Sequence, residues 1–217
     1  LRTNLLYSKV NMIDEDKLTI MISSPGPGEG KTTTILNLAI TFANLGKKTV
    51  IIDSDLRKPV LHKVFDVDKE NGLTHYLCIN GTTIDEISKQ TEVENLDVIT
   101  CGAIPPNPSE LLDSDKMSQF INKVKKKYDI VLFDSPPLVA VTDAYVLMKH
   151  IKQFILVIRA GVTERGALKR VLASTSQSNL EIDGVVMNAI TEQAAYGAGY
   201  YYNYYHSSVD NGAVQSP

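Results

Sequence analysis

The segment Ser23-Ser24-Pro25-Gly26-Pro27-Gly28-Glu29-Gly30-Lys31-Thr32 lies between a short apolar run, residues 18–22, and an amphipathic one, residues 33–45. A strand, a glycine-rich turn and a helix in that order leave few folds open. The glycines let backbone N–H groups converge, and the helix that follows adds unsatisfied donors and the positive end of its dipole. Such a turn is suited to cradling phosphate oxygens. Lys31 is placed to reach the outer phosphates of a nucleotide, and the Thr32 hydroxyl to hold Mg²⁺. Pro25 stands where the usual G-x-x-x-x-G-K-[ST] pattern has its first glycine. For a glycine-rich segment taken alone, an ordinary strand-to-helix turn is the alternative. Gly26, Pro27, Gly28, Glu29, Gly30, Lys31, Thr32 and Thr33 are the candidate nucleotide-binding residues.

A length of 217 residues suits one domain with a substantial core. The formal charge of −3, with no long basic stripe, argues against a general affinity for nucleic acid. Cys78 and Cys101 have no metal-ligand spacing and read as buried residues of a reducing compartment. No apolar run approaches the ~18 residues of a membrane span, and none has the pattern of a signal peptide. The first residue is Leu1, which leads us to expect a piece of a longer chain whose preceding part is free to carry a membrane anchor.

Along the chain, residues 1–9 read as the end of a helix and residues 11–17 as a charged turn. After the glycine loop, Ile35, Leu38, Ala39 and Phe42 recur at helical spacing, and Gly46 sits where a C-terminal cap belongs. Residues 49–53 are too uniformly apolar to leave one strand face wet, as in parallel sheets covered on both sides. Weak helical pieces follow around residues 73–77 and 84–90, then a strand at 96–100. Asn107, Pro108 and Glu110 predict a capped start to one helix running to Lys123, Lys125, Lys126 and Lys127. Those lysines suit a helix C-terminus on a solvated face, with a basic binding patch as the alternative. Strands at 129–134, 153–159 and 183–189 alternate with helices at 143–149 and 164–177. Alternation of this kind predicts an open α/β domain over residues 1–189 with right-handed crossovers. Residues 190–217 change character: six of the chain's ten tyrosines crowd into positions 196–205 without a period, which predicts a flexible tail.

In such sheets ligands bind at the carboxyl ends of strands, where the loop, Asp53, Asp55 and Asp134 all fall. Asp134 ends an apolar strand and is placed to hold Mg²⁺ directly or through water, with a turn or helix cap as the alternative. Positions i and i+2 of an extended segment point the same way, so Asp53 and Asp55 are expected to face one site. They are candidates for metal coordination and for accepting a hydroxyl proton; a turn-forming Asp-Ser-Asp is the other reading. Asn188, ending the last strand, is a candidate adenine contact or an ordinary turn residue.

Four segments carry a resemblance over nearly the whole chain. They are Ser23 to Thr32, Ile51-Ile52-Asp53-Ser54-Asp55-Leu56-Arg57-Lys58-Pro59, Pro105-Pro106-Asn107-Pro108-Ser109-Glu110-Leu111-Leu112, and Val131-Leu132-Phe133-Asp134-Ser135-Pro136-Pro137. Together they resemble the cytoplasmic domain of the bacterial tyrosine kinases that regulate capsule and exopolysaccharide synthesis. That resemblance implies a P-loop NTPase-like fold, with a mostly parallel sheet flanked by helices on both faces. It also implies ATP and Mg²⁺, with Lys31 binding phosphate, Thr32, Asp55 and Asp134 serving the metal, and Asp53 acting as base. Tyr196, Tyr200, Tyr201, Tyr202, Tyr204 and Tyr205 would be phosphorylated by neighbouring subunits of a ring. Leu1-Arg2-Thr3-Asn4-Leu5 resembles the end of the family's oligomerisation motif, which would put Arg2 at a subunit interface. A transmembrane activator (a polysaccharide co-polymerase, fused or separate) would hold the domain at the cytoplasmic face of the inner membrane.

The rival expectation is a partitioning or septum-positioning ATPase that uses hydrolysis as a switch. Those relatives normally carry an extra lysine at the position of Gly26, and lack such a tyrosine tail. A module that merely senses ATP is the third expectation.

Overall fold

Four consecutive apolar or weakly polar residues and a closing carboxylate make β2 (Thr49–Asp53), and all five are buried. This is what a central strand covered on both faces requires. The computed structural model describes Leu1 and residues 17–190. Residues 2–9 of the expected helix end, Arg2 among them, and the tyrosine cluster lie outside the described residues.

The first half of the chain runs β1 (Leu18–Ser23), α1 (Lys31–Ala43), β2, α2 (Leu61–Val64), α3 (Leu73–Cys78), α4 (Ile84–Ile87), β3 (Ser88–Gln90) and β4 (Leu96–Ile99). The second half runs α5 (Pro108–Leu112), α6 (Asp115–Lys127), β5 (Ile130–Asp134), α7 (Asp143–Met148), β6 (Gln153–Arg159), α8 (Arg165–Gln177) and β7 (Gly184–Asn188). The seven strands form one sheet in the order β3-β4-β2-β5-β1-β6-β7. All neighbours are parallel except β3, which is antiparallel to β4.

Strand side chains alternate between two cores, as a period of two dictates. Ile20, Ile22, Ile51 and Leu132 pack with Ile35, Leu38, Ala39 and Phe42 of α1 on one face. Met21, Val50, Ile52 and Phe133 pack with Met117, Phe120, Ile121 and Val124 of α6 on the other. The register then sets the site: Ile22 lies beside Asp134, and Asp134 beside Asp53. Three adjacent strands, β1, β5 and β2, thus deliver the glycine loop, Asp134 and Asp53 to one edge.

Several expectations are corrected. Of the two cysteines expected to be buried, Cys101 is, but Cys78 is exposed. The helix foreseen from Asn107 to Lys127 is two helices, because Ser114 intervenes. Its hydroxyl donates to the Leu111 carbonyl at 2.7 Å and accepts from the Met117 amide at 3.2 Å, closing α5 and capping α6. Asn107 makes no side-chain cap; its amide instead donates to the Glu110 carboxylate at 2.5 Å. The helical piece expected over 84–90 stops at Ile87, and Ser88–Gln90 pair with β4 instead. Lys89 anchors that edge strand by donating to the Asn71 carbonyl at 2.6 Å and to Thr100 Oγ1 at 2.9 Å.

Gly72 joins this edge to α3. A Cβ there would stand 2.2 Å from the Thr100 carbonyl oxygen and 2.5 Å from the Gly102 nitrogen, both backbone atoms. The adjacent Leu73 amide donates to that same Thr100 oxygen at 2.8 Å, so retreat would break a bond. We expect Gly72→Ala to cost about 1–3 kcal/mol. That lowers the melting temperature by about 2–4 °C per kcal/mol in a domain of this size. An unchanged melting temperature would contradict this packing.

Candidate active site

The glycine loop leaves β1 and enters α1 with Gly28 at φ 73° and Gly30 at φ 99°, both in the left-handed region that glycine tolerates. Gly30 has a second constraint, since a Cβ there would lie 2.0 Å from Asn188 Nδ2. No side chain caps α1, so its first amides stay available to a ligand at the cavity. Two strand ends brace the loop from below. Asn188 Nδ2 donates to the Glu29 carbonyl at 3.0 Å, and Arg159 Nη1 donates to the Gly28 carbonyl at 3.0 Å. Asn188 thus holds the loop as well as facing the cavity.

A cavity of about 600 Å³ opens over this loop. Of the residues expected from sequence, Pro27, Gly28, Gly30, Lys31, Thr32, Thr33, Asp55 and Asn188 line it. Gly26, Glu29, Asp53 and Asp134 are not among its lining residues. Lys58 and Arg159 also line it, and sequence reasoning had assigned neither to the site. Their signals were present: Lys58 closes the Asp55-Leu56-Arg57 turn, and Arg159 ends a strand at the same sheet edge.

Asp134 is fully buried, and the polar contacts of the site converge on it. Thr32 Oγ1 donates to its Oδ2 at 2.8 Å, and Lys31 Nζ donates to its Oδ1 at 3.2 Å. Burial raises its carboxyl above the usual range, against the opposing pull of Lys31 and Thr32. Asp53 is also fully buried. Its Oδ2 accepts from the Val60 and Leu61 amides, each at 2.9 Å, while its Oδ1 is buried without a partner among the described residues. Burial above all, with the charges of Asp134 and Asp55 adding to it, pushes its carboxyl up to about 7. Asp55 sits at the cavity wall, its Oδ1 accepting from the Arg57 amide at 3.2 Å and the Lys58 amide at 2.9 Å. Strand alternation leads one to expect Asp53 and Asp55 to face one site. Asp55 does face the cavity, and Asp53 lies buried behind it as the anchor of α2.

The donor set tests whether Mg²⁺ fits. The Thr32 hydroxyl and the Asp55 and Asp134 carboxylates are hard oxygen donors at the phosphate loop. No group of three or more His, Cys, Asp or Glu side chains among the described residues forms a dedicated metal cage. Few protein oxygens beside a phosphate loop is the pattern Mg²⁺ favours, since it keeps waters and takes phosphate ligands.

A second cavity, about 620 Å³, lies between α3, α4 and α6 and is lined by Lys116, Lys123, Lys126 and Lys127. Lys127 pairs with Asp85 at 2.5 Å and Lys123 lies over the Tyr76 ring. No helix among the described residues is long and apolar enough to cross a membrane.

Fold and site define a P-loop nucleotide-binding domain with its aspartates on neighbouring strands. A family model described as an AAA domain matches residues 17–178. The tyrosine-protein kinase YwqD of Bacillus subtilis (strain 168) is 37% identical over 199 residues, covering 91% of this chain and 82% of the relative. The kinase domain of the Escherichia coli tyrosine kinase ETK matches with TM-score 0.81 at 33% identity, over 89% of this chain and 74% of that one. The septum site-determining protein MinD of Pyrococcus horikoshii OT3, solved with Mg-ADP, matches with TM-score 0.64 at 26% identity, over 83% and 76%. The chain belongs to the bacterial tyrosine-protein kinase family, and is a protein-tyrosine kinase domain on the P-loop NTPase fold.

Proposed function

We propose that this domain transfers the γ-phosphoryl group of ATP to the tyrosines of its own C-terminal cluster, in trans between neighbouring subunits. The observation that carries this reading is that Lys31 and Thr32, which line the cavity with Asp55, both bond to the buried Asp134, in a chain that carries a tyrosine cluster at residues 196–205.

The loop amides and Lys31 hold the triphosphate, and Thr32, Asp55 and Asp134 hold Mg²⁺. Mg²⁺ held by these residues would supply positive charge against that developing on the transferring phosphoryl group. The tyrosine oxygen forms the new bond to the γ-phosphorus as the bond to the β-bridging oxygen breaks, and ADP leaves. The phenolic proton passes to a carboxylate, for which Asp53 has a raised pKa and an Oδ1 without a partner among the described residues. That oxygen is buried, and reaches the phenol only if the tyrosine displaces the cavity wall. Tyr196, Tyr200, Tyr201, Tyr202, Tyr204 and Tyr205 are the acceptors, in a tail starting at Ile190. Each phosphate adds about −1.5 to −2 charge, so modified tails repel one another and loosen a ring whose interface includes Arg2. By the family's pattern, the domain acts at the cytoplasmic face of the inner membrane with a transmembrane activator and regulates capsule or exopolysaccharide synthesis.

The likeness to MinD keeps one rival in play, a switch ATPase. Gly26, where such ATPases carry a lysine, counts against it. Intact and peptide mass spectrometry after incubation with ATP and Mg²⁺ separates the two. We expect phosphate confined to residues 196–205, and none in Lys31→Met. Steady ADP release without phosphotyrosine, unchanged by removing residues 190–217, would establish the switch ATPase instead.

A further inference from the structure

Phosphoryl transfer assigns no task to the Pro-Pro-Asn-Pro-Ser-Glu segment, to Arg57 or to Asp143, although three separate parts of the chain meet there. Asp143, the first residue of α7, is fully buried. Arg57 grips it with both arms of its fork, Nε to Oδ2 at 2.7 Å and Nη2 to Oδ1 at 3.1 Å. Ser109 of α5 donates its hydroxyl to the same Oδ1. Burial favours the neutral acid, but the Arg57 and Ser109 bonds and the Arg57 charge outweigh it and hold the carboxyl below its usual range. Asp143 is therefore a charged hub.

What this hub holds still is the turn that carries Asp55. The Arg57 backbone amide is one of the two donors to Asp55 Oδ1, so anchoring the Arg57 side chain fixes that donor. Asp55 Oδ2 takes no hydrogen bond among the described residues and remains for a ligand at the cavity. The hub is also tied to the phosphate loop. The segment between β5 and α7 donates from the Leu138 amide to the Ser24 carbonyl at 2.9 Å, and from the Val139 amide to the Pro25 carbonyl at 3.1 Å. Asp143 thus references the Asp55 turn to the strand that bears Asp134 and to the loop that leads into Thr32. Pro108 opens α5 and so places Ser109 on this hub, which gives the proline-rich segment a task.

We propose that Asp143, with Arg57 and Ser109, is a positioning junction that sets the Asp55 carboxylate for the Mg²⁺ of the bound nucleotide. This rests on the kinase reading, in which Asp55 is a metal ligand. Groups that orient metal ligands without touching the metal characteristically change metal affinity about 10–100-fold when lost. A residue that served only stability would lower nucleotide affinity, or not, irrespective of metal.

The test is calorimetric titration of ADP into the whole chain, with Mg²⁺ and with EDTA, so that no turnover enters. Asp143→Asn keeps the shape and loses the charge; Arg57→Lys keeps the charge and loses the fork. Each is expected to lose about 10-fold of the Mg²⁺-dependent gain in ADP affinity. ADP affinity in EDTA should stay within about twofold of the wild type, and Ser109→Ala should lose a smaller part of the gain. The Asp143→Asn, Arg57→Lys double variant should lose no more than either alone, because the groups act as one unit. Equal losses with and without Mg²⁺, additive losses, or an undiminished Mg²⁺ gain would overturn the junction. If Asp143→Asn does not fold, Arg57→Lys and Ser109→Ala decide the matter by the same criteria. A wild type whose ADP affinity ignores Mg²⁺, or an Asp55→Asn variant that keeps the full gain, would instead bring down the metal-ligand reading and the junction with it.

Discussion

Asp53→Asn is expected to lower tyrosine phosphorylation by about 10³-fold while raising the melting temperature at pH 8. The first effect follows from removing a proton acceptor, a contribution that spans about 10²–10⁴-fold. The second follows from the surroundings of Asp53, which is fully buried with one oxygen unpartnered and its carboxyl pushed up to about 7. In the unfolded chain the same carboxyl titrates near 3.9. Between those values the folded state binds the proton more tightly, so stability falls as pH rises through the window from about 4 to about 7. At pH 8 the ionised group carries its whole penalty. An asparagine carries none, and its side-chain oxygen still accepts from the Val60 and Leu61 amides. We expect a gain of about 8–16 °C at pH 8, from about 4 kcal/mol at about 2–4 °C per kcal/mol, shrinking to nothing near pH 4. Calorimetric scans across that range, beside initial rates of phosphotyrosine formation, read both effects. Wild-type activity should fall on the acid side of about pH 7. A lower melting temperature at pH 8 would mean that the buried carboxylate is stabilising. Retained activity would remove proton acceptance from Asp53.

Lys31→Met should shift stability in the opposite direction. The Lys31 side chain is 13% exposed and its ammonium lies 3.2 Å from the fully buried Asp134. Deleting it leaves an uncompensated carboxylate among Asp53 and Asp55, and breaking a buried pair from one side costs about 3–5 kcal/mol. The Thr32 hydroxyl remains and offsets part of this, so we expect about 3 kcal/mol, or roughly 6–12 °C, at pH 8. Without Lys31 the folded-state pKa of Asp134 rises further, and the deficit is therefore greatest at high pH. It should shrink as Asp134 takes up a proton on acidification. Nucleotide affinity should fall with it, and phosphorylation should vanish. A melting temperature lowered equally at pH 5 and pH 8 would show that the loss is one of packing alone.

Much of this site was legible in the sequence because its parts obey local rules. Apolar strands ending in aspartate, and a glycine loop opening a helix, report their surroundings through periods of two and 3.6. The split of α5 from α6 was less visible, since a serine inside a helical pattern becomes a cap only when its hydroxyl finds both the Leu111 carbonyl and the Met117 amide. The edge strand β3 was hidden for a similar reason: three residues pair with β4 because β4 is already in place. Lys58 and Arg159 escaped because single cations at loop ends carry no period.

By itself, the sequence determined the order of strands and helices, the phosphate loop, and the placing of Asp53, Asp55 and Asp134 at one sheet edge. Only the tertiary structure decided how those three carboxylates divide: Asp134 bound to Lys31 and Thr32, Asp53 buried as the anchor of α2, and Asp55 left facing the cavity. It also decided that Arg57 and Asp143, separated by 86 positions, share one ion pair. Spacing along a chain fixes which face a side chain occupies. Which distant group it meets there, and how far it is cut off from water, depends on how the packed elements close around it.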